Sequence, residues 1–199
     1  MKTSLISVTF RNKTVEEVAE IARKGGLEAV EWGGDKHVKP GDKDAIALAN
    51  KVCAENGLSV SAYGSYYRCN DNEDFAPVLE TALALGTKII RVWAGGGFAH
   101  SNDCSAEYRA QITENLRKAV AMAADAGCIV ATECHPNTLT DCLTSHQQLL
   151  AAALQRRYYS PQHILQELSA PDCPQWYSRS FRKHSKTQKT CSRLYSCEH

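Results

Sequence analysis

The sequence predicts an α/β fold, a parallel β/α barrel that is truncated after about five β/α units. Three observations predict it. Short apolar strands alternate with helices, the strand starts recur at spacings of 22, 31, 29 and 41 residues, and the helices end near glycine. Strands and helices that alternate in this way are joined by right-handed crossovers, which place the strands parallel in one sheet.

Each predicted element has a local signal. Thr14 and Glu17 have the spacing of a capping box that opens the first helix. The second helix closes at the pair Asn56-Gly57, a common way to end a helix. Apolar runs and amphipathic runs define the other elements. We predict strands over 5–10, 27–32, 58–64, 87–95 and 128–135, and helices over 15–26, 44–57, 74–86 and 105–127.

Composition argues against several classes of function. The chain has 199 residues and a net charge of +1, which gives no reason to expect nucleic acid as a partner. No apolar run approaches the roughly 18 residues of a membrane span. The N-terminus meets Arg11 and Lys13 too early for a signal peptide. We therefore expect a cytoplasmic protein with no membrane partner. Its nine cysteines form no CxxC pair, and we interpret them as reduced thiols.

The chain changes character near residue 155. Residues 155–199 contain seven Ser, five Gln and three Cys, with eight Lys or Arg against three Asp or Glu, so that this tail is basic. Residues 1–154 carry 15 Lys or Arg against 19 Asp or Glu. The apolar content of the tail is too low to offset the entropy of ordering. We predict a partial barrel over 1–154 and a tail that is disordered or translated out of frame.

Functional side chains of parallel β/α folds collect at the carboxyl ends of the strands. Glu133 and His135 follow the apolar run 128–132, and their spacing of two points both side chains the same way from an extended strand. A carboxylate there is costly to bury unless it is paired or bound to a metal. Carboxylate and imidazole together suit a divalent ion. An ion pair with a neighbouring Arg or Lys would explain Glu133 equally well.

Five residues at strand ends or in the following loops are candidate substrate ligands. Trp32 and Trp93 could stack on the apolar face of a sugar ring, or they could fill the core. Arg91 could bind a phosphate or carboxylate, or form an ion pair with Glu31 or Glu133 inside the barrel. His37, which follows a double glycine, could hydrogen-bond a substrate hydroxyl or face solvent. His135 is the fifth candidate.

Four segments also carry a resemblance to a known family: SVTFRNKTVEEVAEIARKGGLEAVEWGGDKHV, GLSVSAYGSYYR, DFAPVLETALALGTKIIRVWAG and ATECHPNTLTD. Together they resemble the xylose-isomerase-like TIM-barrel family. That family includes sugar phosphate isomerases and epimerases and the endonuclease IV type of DNA-repair enzyme. The resemblance covers residues 1 to about 150 and is strongest in EWGGDKHV and ATECHPNTLTD.

The resemblance implies proton transfer next to the carbonyl of a small sugar or sugar phosphate, assisted by a divalent ion such as Mn, Mg, Co or Zn. It makes Glu133 both a metal ligand and the catalytic residue, and it places His37 and Trp93 near the substrate. The family's other metal ligands come from strands six to eight, which nothing after residue 154 resembles. We therefore expect this chain to supply one or two metal ligands instead of about four. So few ligands do not ensure that the ion is retained.

The sequence is compatible with three functions. The first is a sugar (phosphate) isomerase or epimerase. The second is an inactive truncated relative or a binding module. The third is zinc-dependent nucleic-acid hydrolysis, which is disfavoured because residues 1–154 are net negative and Tyr63 to Tyr67 stand where a third-strand His ligand is expected. The sequence leaves open whether the chain is active and whether it forms a homo-oligomer.

Overall fold

Five parallel strands form one sheet in the order β1-β2-β3-β4-β5. The computed structural model describes residues 2–154, and the predicted tail, 155–199, lies outside them. The alternation of strands and helices confirms the α/β fold class. The strands are β1 Ser4–Ile6, β2 Ala29–Gly33, β3 Ser59–Gly64, β4 Ile89–Val92 and β5 Ile129–Thr132, and the α-helices are α1 Val15–Lys24, α2 Lys43–Glu55, α3 Ala76–Ala84, α4 Ala106–Asp125 and α5 Leu143–Leu154.

The first strand is shorter than the sequence predicts. It ends at Ile6, and Ser7–Phe10 form a short 3-10 helix. The reason lies in the close approach of Gly33, whose amide donates to the Ser7 hydroxyl at 2.9 Å. A Cβ on Gly33 would lie only 2.3 Å from Val8 Cγ1, so glycine is what lets the helical turn pack there. Local sequence patterns also did not predict α5 or the 3-10 turn Ser101–Asp103.

Capping side chains mark the starts of α1, α2 and α4. The Glu17 amide donates to Thr14 Oγ1 at 3.3 Å, and the Thr14 amide donates back to the Glu17 carboxylate at 2.8 Å, which confirms the predicted capping box. The side chains of Asp42 and Ser105 accept from backbone amides in the first turns of α2 and α4. Within residues 2–154, none of the helices is both long enough and apolar enough to cross a membrane.

Alternation along the strands separates a core face from a second face. Val30, Trp32, Ile90 and Val92 are fully buried in the core cluster that includes residues of the helices. Their neighbours along the strands point the other way. That second face carries Ile6, Ile89 and Ile129, which are 38% to 44% exposed. Towards the carboxyl end of the sheet the same face carries Glu31 and Arg91.

Candidate functional site

An arginine on β4 lies between two carboxylates at the carboxyl end of the sheet. Arg91 donates to Glu31 Oε1 of β2 from Nε at 2.7 Å and from Nη2 at 2.6 Å, and its Nη1 donates to Glu133 Oε2 just after β5. Burial opposes the guanidinium charge, but the two carboxylates outweigh it and raise the pKa of Arg91 above its ordinary value. One cation between two anions leaves this triad, Glu31–Arg91–Glu133, with a net charge of −1.

Glycine at the end of β3 makes the triad possible. β3 lies between β2 and β4, so the Arg91 side chain must cross it to reach Glu31. Gly64 pairs with Arg91 in the sheet, at the crossing point. A Cβ on Gly64 would lie 2.5 Å from Arg91 Nη2 and 2.7 Å from Glu31 Oε1. The ion pair between Arg91 and Glu31 therefore occupies the space that a side chain at position 64 would fill.

We expect Gly64→Ala to lower the free energy of unfolding by about 1–3 kcal/mol, because the added methyl overlaps a partly buried ion pair. Urea denaturation of the purified chain measures this. Ser59→Ala is the matched control, since Ser59 lies on the same strand at a partly exposed position. Equal stability of Gly64→Ala and the control would show that the triad does not occupy this gap.

An aromatic wall, formed by Tyr66, Trp93 and His135, borders the triad. The Trp93 indole donates from Nε1 to Glu133 Oε2. The His135 ring stacks on Trp93 with centroids 4.0 Å apart and planes 26° apart, and the centre of the Tyr66 ring lies 5.2 Å from that of Trp93. Glu133 is thus oriented by two donors, Arg91 and Trp93, and the aromatic wall lies beside it.

Two further arginines approach this wall. The Arg68 guanidinium lies 4.1 Å from the centre of the Trp93 ring, and Arg11 lies 5.8 Å from the centre of the Tyr66 ring. Arg11 also donates to the Tyr66 hydroxyl at 3.1 Å and pairs with Asp35. Among residues 2–154, Arg68 forms no salt bridge. Its positive charge is therefore open to an anionic ligand.

Tyr66 reaches this place through an unusual backbone conformation. Its φ is 60°, in the left-handed region that a bulky residue adopts only at a cost of about 1–3 kcal/mol. The next residue, Tyr67, packs on Phe75 in the core with ring centroids 5.2 Å apart. The left-handed turn sends the Tyr66 ring towards Arg91, whose Cζ lies 6.0 Å from its centre.

His135 has the geometry of a proton acceptor. Its Nδ1 lies 2.7 Å from the Pro136 carbonyl oxygen, which can only accept, so this contact assigns the proton to Nδ1. In the neutral ring, Nε2 then carries the lone pair. Asn137 follows at a φ of 63°, so the chain turns sharply just after this residue.

Trp32 and His37 lie apart from this cluster. Trp32 is fully buried in the core, and His37 is 7% exposed. Their rings are 6.1 Å apart, and His37 Nε2 lies 3.2 Å from the Lys13 carbonyl oxygen. Burial lowers the pKa of His37. The structure therefore places both residues with core and loop groups, whereas the other candidates converge: Glu133, Arg91, Trp93 and His135.

A second buried imidazole, which the sequence did not bring out, lies on α5. His146 Nε2 lies 2.7 Å from the Thr132 hydroxyl, and its Nδ1 lies 3.5 Å from the Cys134 sulfur. Burial lowers the pKa of His146 below its ordinary value. α5 was not predicted, so nothing in the sequence placed this residue against the end of β5.

The two buried histidines predict a pH dependence of stability. Both have a lower pKa in the folded than in the unfolded chain, so the unfolded chain binds protons more readily. The free energy of unfolding should therefore fall as the pH falls through the unfolded pKa of about 6.5. Urea titrations between pH 8 and pH 5 (about 1-unit steps) measure it. His146→Gln should flatten this slope, and an unchanged slope would show that His146 does not contribute.

The described residues do not form a metal site by themselves. Within residues 2–154, no three His, Cys, Asp or Glu side chains come together in a way that could hold a metal ion. Glu133 is held by Arg91 and Trp93, and the Nδ1 of His135 by a carbonyl oxygen. Because a zinc site typically has about four ligands, this part of the chain would supply only a minority of them.

Comparison with known proteins decides the family. Residues 19–159 match the family model of the xylose isomerase-like TIM barrel. The chain belongs to this family. Its parallel sheet has the strand and helix order of that fold, and the match confirms the resemblance that the four sequence segments carry.

Individual relatives span more than this chain. A curated 3-dehydroshikimate dehydratase from Bacillus anthracis is 26% identical over 166 residues, which cover 75% of this chain and 57% of that protein. The crystal structure of a probable 3-dehydroshikimate dehydratase from the same organism aligns at a TM-score of 0.63 and 24% identity, over 77% of this chain and 59% of that one. D-allulose 3-epimerase from Methylomonas sp. aligns at a TM-score of 0.60 and 13% identity, over 77% and 59%. The chain thus spans little more than half the length of these relatives.

Proposed function

We propose that this chain is part of an enzyme that moves a proton next to a carbonyl group of a small hydroxylated substrate, as sugar isomerases and epimerases do. The observation that carries the proposal is the convergence of Glu133, His135, Trp93 and Arg91 at the carboxyl ends of β4 and β5. Enzymes on this type of fold place their catalytic groups at those ends. Membership of the xylose isomerase-like family supports the same kind of chemistry.

The residues have distinct roles in this proposal. Glu133 accepts the proton from the carbon next to the carbonyl, in an orientation that Trp93 and Arg91 fix by hydrogen bonds. His135, with the lone pair on Nε2, serves as a second proton carrier for a substrate hydroxyl. The Trp93 and Tyr66 rings, which are tilted by 37° to each other, border the place proposed for the substrate. Arg91 acts through Glu133 and is a positioning residue.

A divalent ion would act as a cofactor only at a site with more ligands than residues 2–154 supply. Mn, Mg, Co or Zn would polarise the substrate oxygens there. Glu133 would be one ligand, and residues outside 2–154 would have to supply the others. The net charge of −1 on the triad favours a cation nearby. The substrate proposed first is a free sugar or a sugar phosphate.

Dehydration of an anionic hydroxyketone is the second candidate, and a specific observation favours it. The Arg68 guanidinium lies beside the aromatic wall and has no carboxylate partner among the described residues. A carboxylate on the substrate could therefore form an ion pair with it. The curated relative is a 3-dehydroshikimate dehydratase, and 3-dehydroshikimate carries a carboxylate on a hydroxyketone ring. Removal of a proton next to the carbonyl would assist the loss of water, so that Glu133 and His135 would keep their roles in this second candidate.

Parallel substrate assays separate the two candidates. The purified chain with added Mn²⁺ is incubated with D-allulose, with a fructose phosphate and with 3-dehydroshikimate. A ketose epimer in the chromatogram supports the isomerase or epimerase. Ultraviolet absorbance of an aromatic dihydroxybenzoate supports the dehydratase, in which case Arg68→Met should reduce this activity more than Arg23→Met. Absence of every product in a folded, metal-supplemented chain would favour the inactive relative.

A further inference from the structure

The end of β5 carries a second group of reactive side chains, on the side that faces α5. The His146 ring contacts the Thr132 hydroxyl at 2.7 Å and the Cys134 sulfur at 3.5 Å. Thr132 and Cys134 flank Glu133, and side chains two apart on an extended chain point the same way. Glu133 points to the opposite side, where it bonds Arg91 and Trp93. The Thr132–His146–Cys134 group is therefore separate from the site around Glu133.

The group combines an accessible nucleophile with a sheltered base. Cys134 is exposed, whereas His146 is 7% exposed and lies behind it. In the tautomer that protonates Nε2, that N–H donates to the Thr132 hydroxyl and Nδ1 accepts from the Cys134 thiol. A nucleophile bonded to a base that a third group orients is the arrangement found in activated thiols and hydroxyls.

We propose that Cys134 is a peroxide-reactive thiol, with His146 as its general base and Thr132 as the residue that positions the imidazole. The Cys134 sulfur attacks one oxygen of hydrogen peroxide, an S–O bond forms and the O–O bond breaks. The thiol proton passes to His146 Nδ1 and from there to the departing hydroxide. The products are a cysteine sulfenic acid and water, so that sulfur loses the two electrons that the peroxide gains.

The rest of the chain provides an internal comparison. Cys104 is partly exposed, and its thiol donates to the Ser105 carbonyl oxygen at 3.4 Å. A carbonyl oxygen cannot accept a proton from a thiol during attack as an imidazole can. Burial lowers the pKa of His146 and so favours the neutral imidazole, the form that accepts a proton. Reactivity should therefore differ between the two thiols within a single molecule.

The test is oxidation of the full chain by a limiting amount of hydrogen peroxide with dimedone present to trap sulfenic acid. Fragmentation mass spectrometry locates the label on each cysteine over time. We expect Cys134 to be labelled about tenfold faster than Cys104, since general base assistance is worth at least that factor. In His146→Gln the rate at Cys134 should fall to that at Cys104, while Cys104 is unchanged.

A second variant distinguishes loss of the base from loss of the fold. Thr132→Val keeps the size of the side chain and suits a strand, but it removes the hydroxyl that orients His146. It should slow labelling of Cys134 by a smaller factor than His146→Gln does. Equal labelling of Cys134 and Cys104 in the wild-type chain overturns the proposal. So does an unchanged rate at Cys134 in a folded His146→Gln chain, checked by circular dichroism. No step of this test requires the enzyme activity proposed for the Glu133 site.

Discussion

Replacing Arg91 by Met should destabilise the chain more than any other single substitution at the carboxyl end of the sheet. Arg91 is 15% exposed, and it holds Glu31, which is 13% exposed, together with Glu133. Its loss leaves two partly buried carboxylates facing each other without a counter-ion. We expect the free energy of unfolding to fall by about 3 kcal/mol, as in other cases where one partner of a buried pair is removed. Urea denaturation at pH 7 measures it.

The controls for this variant isolate the ionic contribution. Lys24→Met removes a cation from an exposed pair with Glu20 on α1 and should leave stability unchanged. Adding Glu31→Gln and Glu133→Gln to Arg91→Met should recover most of the loss, since no unpaired charge then remains. If Arg91→Met were no less stable than Lys24→Met, the triad would not be an organising feature of this end of the sheet.

The second large effect concerns proton transfer. In whichever of the substrate assays gives product, Glu133→Gln should lower turnover by about a hundred- to ten-thousand-fold, because the amide cannot accept the proton. Stability should fall less than in Arg91→Met, since Arg91 keeps Glu31 as a partner. Turnover and urea denaturation of the same preparation measure the two effects together.

Glu80→Gln is the matched control for this change. Glu80 is an exposed carboxylate on α3, so that its neutralisation alters net charge without altering the site. It should leave turnover as it is in the unmodified chain. A Glu133→Gln chain that retained full turnover would remove Glu133 from the catalytic role, and His135 would then be the remaining candidate base.

Most of the fold followed from local sequence signals. Periodic apolar residues and the Thr14–Glu17 capping box defined the strands and the first helix, because these signals act over a few residues. Local signals did not predict where β1 ends, because the turn at Ser7 depends on the amide of Gly33, a residue 26 positions away. The sequence did not predict α5 for a related reason: the run 143–154 lies where the composition changes, and the sequence after it has no strand pattern that would mark it as part of the repeat.

The candidate site was predictable residue by residue, but its geometry was not. The position of Glu133 and Arg91 at strand ends follows from the chain order alone. The sequence offered two partners for Arg91, and only the parallel register shows that it bonds both. Trp32 and Trp93 look alike in sequence, yet the fold sends one into the core and leaves the other beside Glu133. The placement of Tyr66 depends on a left-handed backbone angle that its residue type does not predict.

Hydrogen exchange is the most direct test of proton abstraction next to a carbonyl by the group around Glu133. The chain is incubated in D₂O with Mn²⁺ and either D-allulose or 3-dehydroshikimate, and NMR follows deuterium at the carbon next to the carbonyl. We predict incorporation well above a protein-free blank with the wild-type chain and with Glu80→Gln, and none above the blank with Glu133→Gln. Incorporation that is equally fast with Glu133→Gln, or absent with both substrates from a folded wild-type chain, would contradict the account.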